Sequence, residues 1–361
     1  MKVAILGVGL IGGSIGLAAR SRLDADVCGY DPDESVRAKA LELGAIDTQA
    51  AEVAAAVAGA EAVFACAPVA ALADIVRQAL ACAGPDCVVS DVGSTKQPLI
   101  EAGGDERFVG GHPLAGAETA GVEHARAELF DGATWYLTPG QGTSGVLYER
   151  LHRLLAAFGA RPTAVDPETH DRLMACVSHL PHVLANVLVS QAAGLLEDGE
   201  SRRLPAVGPS FRDATRVAGA NSAIWTDIYM SNRAALIDRI DELQAGLADV
   251  RGWLADGDAA AITAWNERAR ADREHLLGAG LAGGRGGESI HELRASVPNR
   301  PGVVAEIALA LGHAGVNILD MALSPSEDQS QGSVAFWISG EEASQHAREL
   351  IADLGFPVVQ A

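Results

Sequence analysis

The chain has 361 residues, of which 48% are hydrophobic and 20% charged, and its 47 acidic and 27 basic side chains give a formal net charge of −20. At about 100–200 residues per domain this is material for two or three folded domains, and so large an apolar fraction excludes a disordered chain. The acidity argues against non-specific nucleic-acid binding and against docking on an anionic membrane, since both need a basic surface.

The first half alternates short apolar runs with longer amphipathic segments. Val3-Ala4-Ile5-Leu6 reads as a buried strand, residues 11–20 as a helix, 26–30 as a second strand and 32–43 as a helix. Further strands are expected at 62–66, 87–90 and 108–110, with a helix at 69–80. Late strands at 134–138 and 161–165 flank a helix over 145–158. Apolar strands alternating with helices indicate a parallel sheet covered on both faces. From Asp166 to about Leu277 only helical periods appear. Six glycines between Gly278 and Gly287 then mark a flexible linker. Beyond it, strands at 291–297, 317–324, 333–339 and 357–360 and helices at 303–314 and 341–354 give the order βαββαβ. That is a ferredoxin-like unit of about 70 residues. The expected domains are therefore residues 1–165, 166–280 and 291–361, with 281–290 as the linker.

Five cysteines, Cys28, Cys66, Cys82, Cys87 and Cys176, are an odd number without a CxxC, and reduced, mostly buried thiols are expected. The start MKVAILG has no cleavable signal pattern, and no run of about 18 uncharged apolar residues appears, so a soluble cytoplasmic protein is expected.

Gly7-Val8-Gly9-Leu10-Ile11-Gly12 follows the first strand and opens the first helix. In that context the glycines allow a tight turn, a close approach by a pyrophosphate, and close helix–strand packing. The helix N-terminus offers unpaired N–H groups to the phosphates. Asp31 closes the second strand, where a carboxylate accepts from a ribose hydroxyl and repels a 2′-phosphate, so NAD is the expected cofactor. Leu10 and Ile11 complete the turn. Arg37 lies nearby but inside the following helix.

Four further stretches stand in order along the chain. They are Asp91-Val92-Gly93-Ser94-Thr95-Lys96, Gly111-His112-Pro113-Leu114-Ala115-Gly116-Ala117-Glu118, His170-Asp171 with Ser178-His179-Leu180-Pro181-His182, and Phe211-Arg212-Asp213-Ala214-Thr215-Arg216 with Trp225-Thr226-Asp227-Ile228 behind it. Together with the glycine-rich turn, residues 1–277 resemble the prephenate/arogenate dehydrogenase family of tyrosine biosynthesis. The tail resembles an ACT domain through Pro298-Asn299-Arg300-Pro301-Gly302-Val303 and Asn317-Ile318.

The resemblance implies a Rossmann-like domain, an all-α substrate and dimerisation domain, a C-terminal ACT domain, and an active site between the first two. It also implies NAD-dependent oxidative decarboxylation. Hydride leaves C4 of a cyclohexadienyl ring, the ring carboxylate leaves as CO2, and aromatisation drives the step. By resemblance His112 is the catalytic acceptor of the C4 hydroxyl, which suits a side chain titrating near neutrality. Ser94 would bond the same hydroxyl and orient His112; a serine there also fits a helix N-cap. Lys96 would add positive charge near the ligands. Arg216 would hold the ring carboxylate bidentately, with Arg212 behind it on the same helix face. His182 would reach the substrate side chain, His170 the site entrance, Trp225 would close the pocket, and Glu118 matches a family acid near the site. Surface ion pairs, core histidines and a kink at Pro181 are the structural alternatives.

No metal is expected. The ACT-like tail implies a tyrosine effector at Asn299, Gly302 and Asn317, although Asn299 replaces the usual aspartate; assembly without a ligand is the alternative. A homodimer is expected through helices apolar on more than one face, such as 183–196. Prephenate is the expected substrate. Arogenate, another NAD enzyme of this architecture and a non-catalytic sensor remain as alternatives.

Overall fold

The structure is a computed structural model that describes residues 1–102, 104–116, 119–197, 207–281, 289–325 and 331–360. Glu118 and most of the glycine-rich linker fall outside these residues. The chain divides into two compact units, one of residues 1–171, 226–231 and 289–361, the other of 172–225 and 232–288.

The first unit opens with a doubly wound sheet. Its elements are β1 (Lys2–Leu6), α1 (Leu10–Leu23), β2 (Asp26–Tyr30), α2 (Glu34–Glu42), β3 (Thr48–Ala50), α3 (Val53–Val57), β4 (Ala62–Ala65) and α4 (Val69–Cys82). They are followed by β5 (Val88–Asp91), α5 (Gln97–Ala102), β6 (Phe108–Pro113), β7 (Thr134–Pro139), α6 (Gly145–Ala157), β8 (Arg161–Ala164) and α7 (Pro167–Met174). The strand order is β3-β2-β1-β4-β5-β6-β7-β8. β1 reverses the strand order at the edge where the glycine-rich turn lies, the usual ligand crevice of such sheets. Strands β1, β4 and β5 are buried almost throughout, which is why they read as apolar runs rather than alternating ones.

Two features depart from the sequence reading. β3 and α3 were not expected; their short, half-polar and alanine-rich stretches carry little periodic signal. The sheet is also mixed, because β7 runs antiparallel to β6 and pairs His112 with Tyr136. Among its described residues the connection from β6 to β7 contains only two short 3-10 turns, Val122–His124 and Ala127–Phe130. Without a crossover helix the chain returns alongside the strand it left.

The second unit is helical: α8 (Leu180–Glu197), α9 (Pro209–Thr215), the first four residues of α10 (Ser222–Ser231), α11 (Arg233–Asp256) and α12 (Ala259–Leu281). A π-helical turn at Ala175–His179 precedes α8. Pro181 cannot donate to the helix ladder, and widening the preceding turn accommodates that loss without a break.

The C-terminal segment forms β9 (Ile290–Pro298), α13 (Val303–His313), β10 (Ile318–Pro325), β11 (Gln331–Ser339), α14 (Glu341–Asp353) and β12 (Val358–Gln360). Its sheet order is β10-β11-β9-β12, antiparallel throughout. Leu293, Ala295 and Val297 alternate inward on β9. This segment shares one hydrophobic core with the N-terminal sheet, joining Leu147, Leu151 and Phe158 to Val304, Ile307 and Met321. The docking is close: a Cβ on Gly312 would overlap the Ala164 carbonyl, and Gly302 N–H donates to the Thr143 carbonyl at 3.1 Å. Arg153 donates to the Met321 carbonyl at 2.9 Å, and His313 bonds Asp166 at 2.8 Å.

Cys28 and Cys87 are buried, but Cys82 and Cys176 are exposed, so the thiols are less uniformly interior than composition suggests. Burial pushes the Cys87 thiol up to about 11.

Candidate active site

The glycine-rich turn is shaped by sterics. Gly7 has φ +105°, and a side chain there would run into the Cys66 carbonyl. A Cβ on Gly12 would overlap the Gly7 carbonyl, whereas Gly9 faces open space. Gly9 is the N-cap of α1 and no side chain caps the helix, so its first N–H groups suit a pyrophosphate. Leu10 and Ile11 form the first turn. Asp31 directly follows β2; its Oδ2 accepts from Val8 N–H at 3.2 Å and its Oδ1 from Asp33 N–H at 3.1 Å. The Arg37 guanidinium reaches back to the Asp31 carbonyl. A cradle open over Gly9, an uncapped helix end and a fixed carboxylate together fit NAD.

Two strands along, the ends of β5 and β6 are tied together. Asp91 is fully buried. Its Oδ2 accepts from Gly93 N–H at 2.7 Å and its Oδ1 from Gly111 N–H at 3.0 Å. The Lys96 ammonium pairs with the same carboxylate and donates to the Gly111 carbonyl at 2.6 Å. Lys96 is therefore no free charge beside the ligands; its side chain is wholly inside. Asp171 anchors the other end of this loop, accepting from Lys96 N–H at 2.8 Å and Gln97 N–H at 2.9 Å. Ser94 lies between the two anchors. Its Oγ is buried with no hydrogen-bond partner, so it does not cap α5, which starts at Gln97.

His112 is part of β6 rather than of a loop beyond it. Its Nδ1 lies 2.9 Å from His170 Nε2, and His170 Nδ1 lies 2.8 Å from Asp171 Oδ1. An ionised carboxylate only accepts, so His170 carries its proton on Nδ1 and accepts at Nε2. His112 must then carry its proton on Nδ1, and its Nε2 bears the lone pair. Burial is the main reason that His170 titrates below the usual histidine range, with the Lys96 charge acting in the same direction and Asp171 and Asp91 opposing it. His170 is fully buried and its ring meets Tyr136 edge-on at 5.7 Å; it stands behind His112, not at an entrance.

In the helical unit, His182 stacks on Trp225 with ring centroids 3.7 Å apart and planes 4° from parallel. Asn186 Nδ2 lies 3.3 Å from His182 Nδ1, and Asn232 Nδ2 lies 3.2 Å from His179 Nδ1. Burial holds His182 below its ordinary pKa, opposed by the Val217 backbone. Arg216 is exposed and opens a 3-10 turn just past the end of α9, so it does not continue the helix that carries Arg212.

In the C-terminal segment a cavity of about 210 Å³ is lined by Ser144, Val146, Asn299, Arg300, Leu323 and Ser333, among others. Of the three expected effector residues only Asn299 lines it. Gly302 is pressed against the Gln141 carbonyl, and Asn317 lies elsewhere.

Asp91, Asp171 and Tyr136 had no assigned role in the sequence reading. The available signal was an acid closing an otherwise apolar strand, and an acid adjoining a helical histidine.

A dinucleotide turn on one strand, with a histidine of fixed tautomer on a strand of the same sheet, is the equipment for taking a hydride and a proton from an alcohol. The chain is an NAD-dependent dehydrogenase with a C-terminal ACT domain. Family models match it at residues 15–164 (prephenate dehydrogenase, nucleotide-binding domain), 166–267 (prephenate dehydrogenase, dimerization domain) and 291–345 (ACT domain). It is 31% identical to a prephenate dehydrogenase of Bacillus subtilis, over 97% of this chain and 96% of the relative. Among solved structures it resembles the Aquifex aeolicus prephenate dehydrogenase in complex with hydroxyphenyl propionate and NAD+, with TM-score 0.70 and 27% identity over 76% of this chain and 98% of that one. It also resembles Synechocystis arogenate dehydrogenase, with TM-score 0.68 and 26% identity over 76% and 100%. The chain belongs to the prephenate dehydrogenase family.

Proposed function

We propose that the chain converts prephenate and NAD to 4-hydroxyphenylpyruvate, CO2 and NADH, with His112 as the acceptor of the C4 hydroxyl. The observation that carries this reading is the chain Asp171–His170–His112, which presents a lone pair at His112 Nε2. When bound, NAD supplies the acceptor for the hydride from C4. His112 Nε2 holds the hydroxyl proton while the C4–O bond gains carbonyl character, then returns it to the phenol oxygen. The ring carboxylate leaves as CO2 and its bonding pair completes the aromatic ring, so net charge and protons balance. Asp171 stabilises the positive charge that His112 and His170 share at that moment. The unpartnered Ser94 Oγ supports a hydrogen bond to the same hydroxyl.

Arg216 is assigned to the ring carboxylate, where a planar guanidinium gives two parallel bonds. His182 and Trp225 are assigned to the substrate side chain as a stacked pair. Orientation is their part; aromatisation drives the loss of CO2. A tyrosine effector is assigned to the cavity beside Asn299.

A homodimer is part of the same reading. Residues 167–194 form one helical run long and apolar enough to cross a membrane by length and composition, with 28% of that window buried. Val187, Leu188, Val189, Ile237 and Leu254 are exposed on α8 and α11. Apolar surface on that scale calls for a partner, and the dimerization-domain match supports a second copy as that partner.

The test is NADH formation with prephenate and, separately, with arogenate. Higher kcat/KM with prephenate is expected. Preference for arogenate replaces the substrate, and no turnover with either by folded, NAD-binding protein overturns the reading.

A further inference from the structure

Lys96 is the one lysine or arginine among the described residues that is buried, and its side chain has no exposure at all. Withdrawing an ammonium from water is costly, and an apolar side chain of that volume would fill the same space more cheaply. The charge therefore calls for a use. Its position suggests one. Gly111, the residue before His112, has both backbone groups fixed by this ion pair: its N–H by Asp91 and its carbonyl by Lys96. Asp91 also holds Gly93, the residue before Ser94. The backbone of Lys96 is in turn held by Asp171, the residue that fixes His170. One buried ammonium thus stands where the segments bearing Ser94, His112 and His170 meet.

We propose that Lys96 is a positioning residue for the reaction: its ammonium locks together the strand ends that carry Ser94 and His112, and its charge disfavours a second positive charge on His170. This deepens the dehydrogenase reading and rests on it for the identity of the reaction. The groups facing His170 are Asp171 on its own helix, Asp91 on β5, Lys96 on the loop after β5, His112 on β6 and the Tyr136 ring on β7. Burial and Lys96 hold its pKa down, and the two carboxylates hold it up. A protonated His170 would donate to His112 Nδ1. That would move the His112 proton to Nε2 and remove the acceptor. Lys96 thereby extends the active pH range downward.

Lys96→Met and the double variant Lys96→Met/Asp91→Asn test this. Methionine keeps the length and loses the charge; the double variant also removes the carboxylate that would otherwise be left uncompensated. In Lys96→Met the acid limb of kcat/KM is expected to rise by about one pH unit, and kcat to fall at least about tenfold with KM changed less than about threefold. The double variant should keep the loss in kcat but show a smaller shift of the limb, because charges of opposite sign leave together. A purely structural lysine would lower activity uniformly with no movement of the limb, and that result overturns the proposal.

Nitrogen NMR of the His170 ring, titrated in the parent and in Lys96→Met, reads the same shift without turnover. An unmoved midpoint overturns the electrostatic role even if the substrate assignment proves wrong. Parent protein inactive with prephenate and arogenate refutes the dehydrogenase reading instead. If Lys96→Met does not fold, the double variant decides: parent-like NAD affinity with reduced kcat supports the proposal, and parent-like kcat overturns it.

Discussion

Replacing Asp171 by asparagine alters one atom at the far end of the histidine chain. The carboxylate accepts three bonds, from Lys96 N–H, Gln97 N–H and His170 Nδ1–H, at 2.8, 2.9 and 2.8 Å. An amide of the same shape can accept at only one of its two positions. With its oxygen at the Oδ1 position it keeps Lys96 and His170, and its NH2 faces the Gln97 N–H. With its oxygen at the Oδ2 position the NH2 donates to His170 Nδ1, which reverses both tautomers and places a proton on His112 Nε2. Each arrangement satisfies two contacts and opposes one, so the tautomer preference is lost along with the negative charge that stabilises a transient imidazolium. General-base assistance contributes about 10²–10⁴-fold. A fall in kcat of about a hundredfold is expected, equivalent to about 2.7 kcal/mol. NAD affinity should not change, because the Gly7–Gly12 turn takes no bond from Asp171. The opposed amide lowers stability by about 1–3 kcal/mol. Steady-state turnover with prephenate, NAD titration by fluorescence and a thermal melt separate these effects. A kcat within about twofold of the parent in folded Asp171→Asn would refute the tautomer argument.

On the assignment proposed above, Arg216→Ala removes an anion anchor rather than a reacting group, so KM for prephenate should rise at least about tenfold with kcat little changed; equal KM values would take Arg216 out of substrate binding. His152 tests stability against pH. It is buried on α6, and burial is the main cause that takes it from 6.5 to about 4, only partly offset by Asp320 and the Ile318 backbone. The unfolded chain therefore gains a proton near pH 6.5 that the folded chain refuses until about 4. Stability contributed by this group is present above 6.5 and lost as pH falls, by about 2 kcal/mol between pH 7 and pH 5. His152→Leu should flatten that part of the slope in urea melts at the two pH values; a variant as acid-sensitive as the parent would count against it.

The elements that carry the ligands were legible because their signals are local. Gly7, Gly9 and Gly12 sit between an apolar strand and a helix, and their spacing alone states the turn. The ferredoxin-like order of the C-terminal segment was legible from strict alternation, as in Leu293, Ala295 and Val297. What was not legible depends on long-range pairing. Nothing near His112 in sequence says that His170 will lie 2.9 Å away, or that β7 will return antiparallel beside it. Lys96 read as a positive charge beside the ligands because its partners, Asp91 and the Gly111 carbonyl, come from two other strand ends. That Gly302 and Asn317 do not line the cavity beside Asn299 was hidden for a similar reason. Docking against the N-terminal sheet uses up the face of Gly302, and sequence gives no sign of docking.

That docking also bears on how the chain is made. The segment from β9 to β12, synthesised after the helical unit, supplies Val304, Ile307 and Met321 to the same core as Leu147, Leu151 and Phe158. Domains generally form as units while the chain emerges, N-terminal first. Here the sheet domain, synthesised ahead of the helical unit, lacks one wall until β9 to β12 follow. Its apolar patch around α6 stays open for the whole interval in which the helical unit is translated, which is the window in which a chaperone has something to hold.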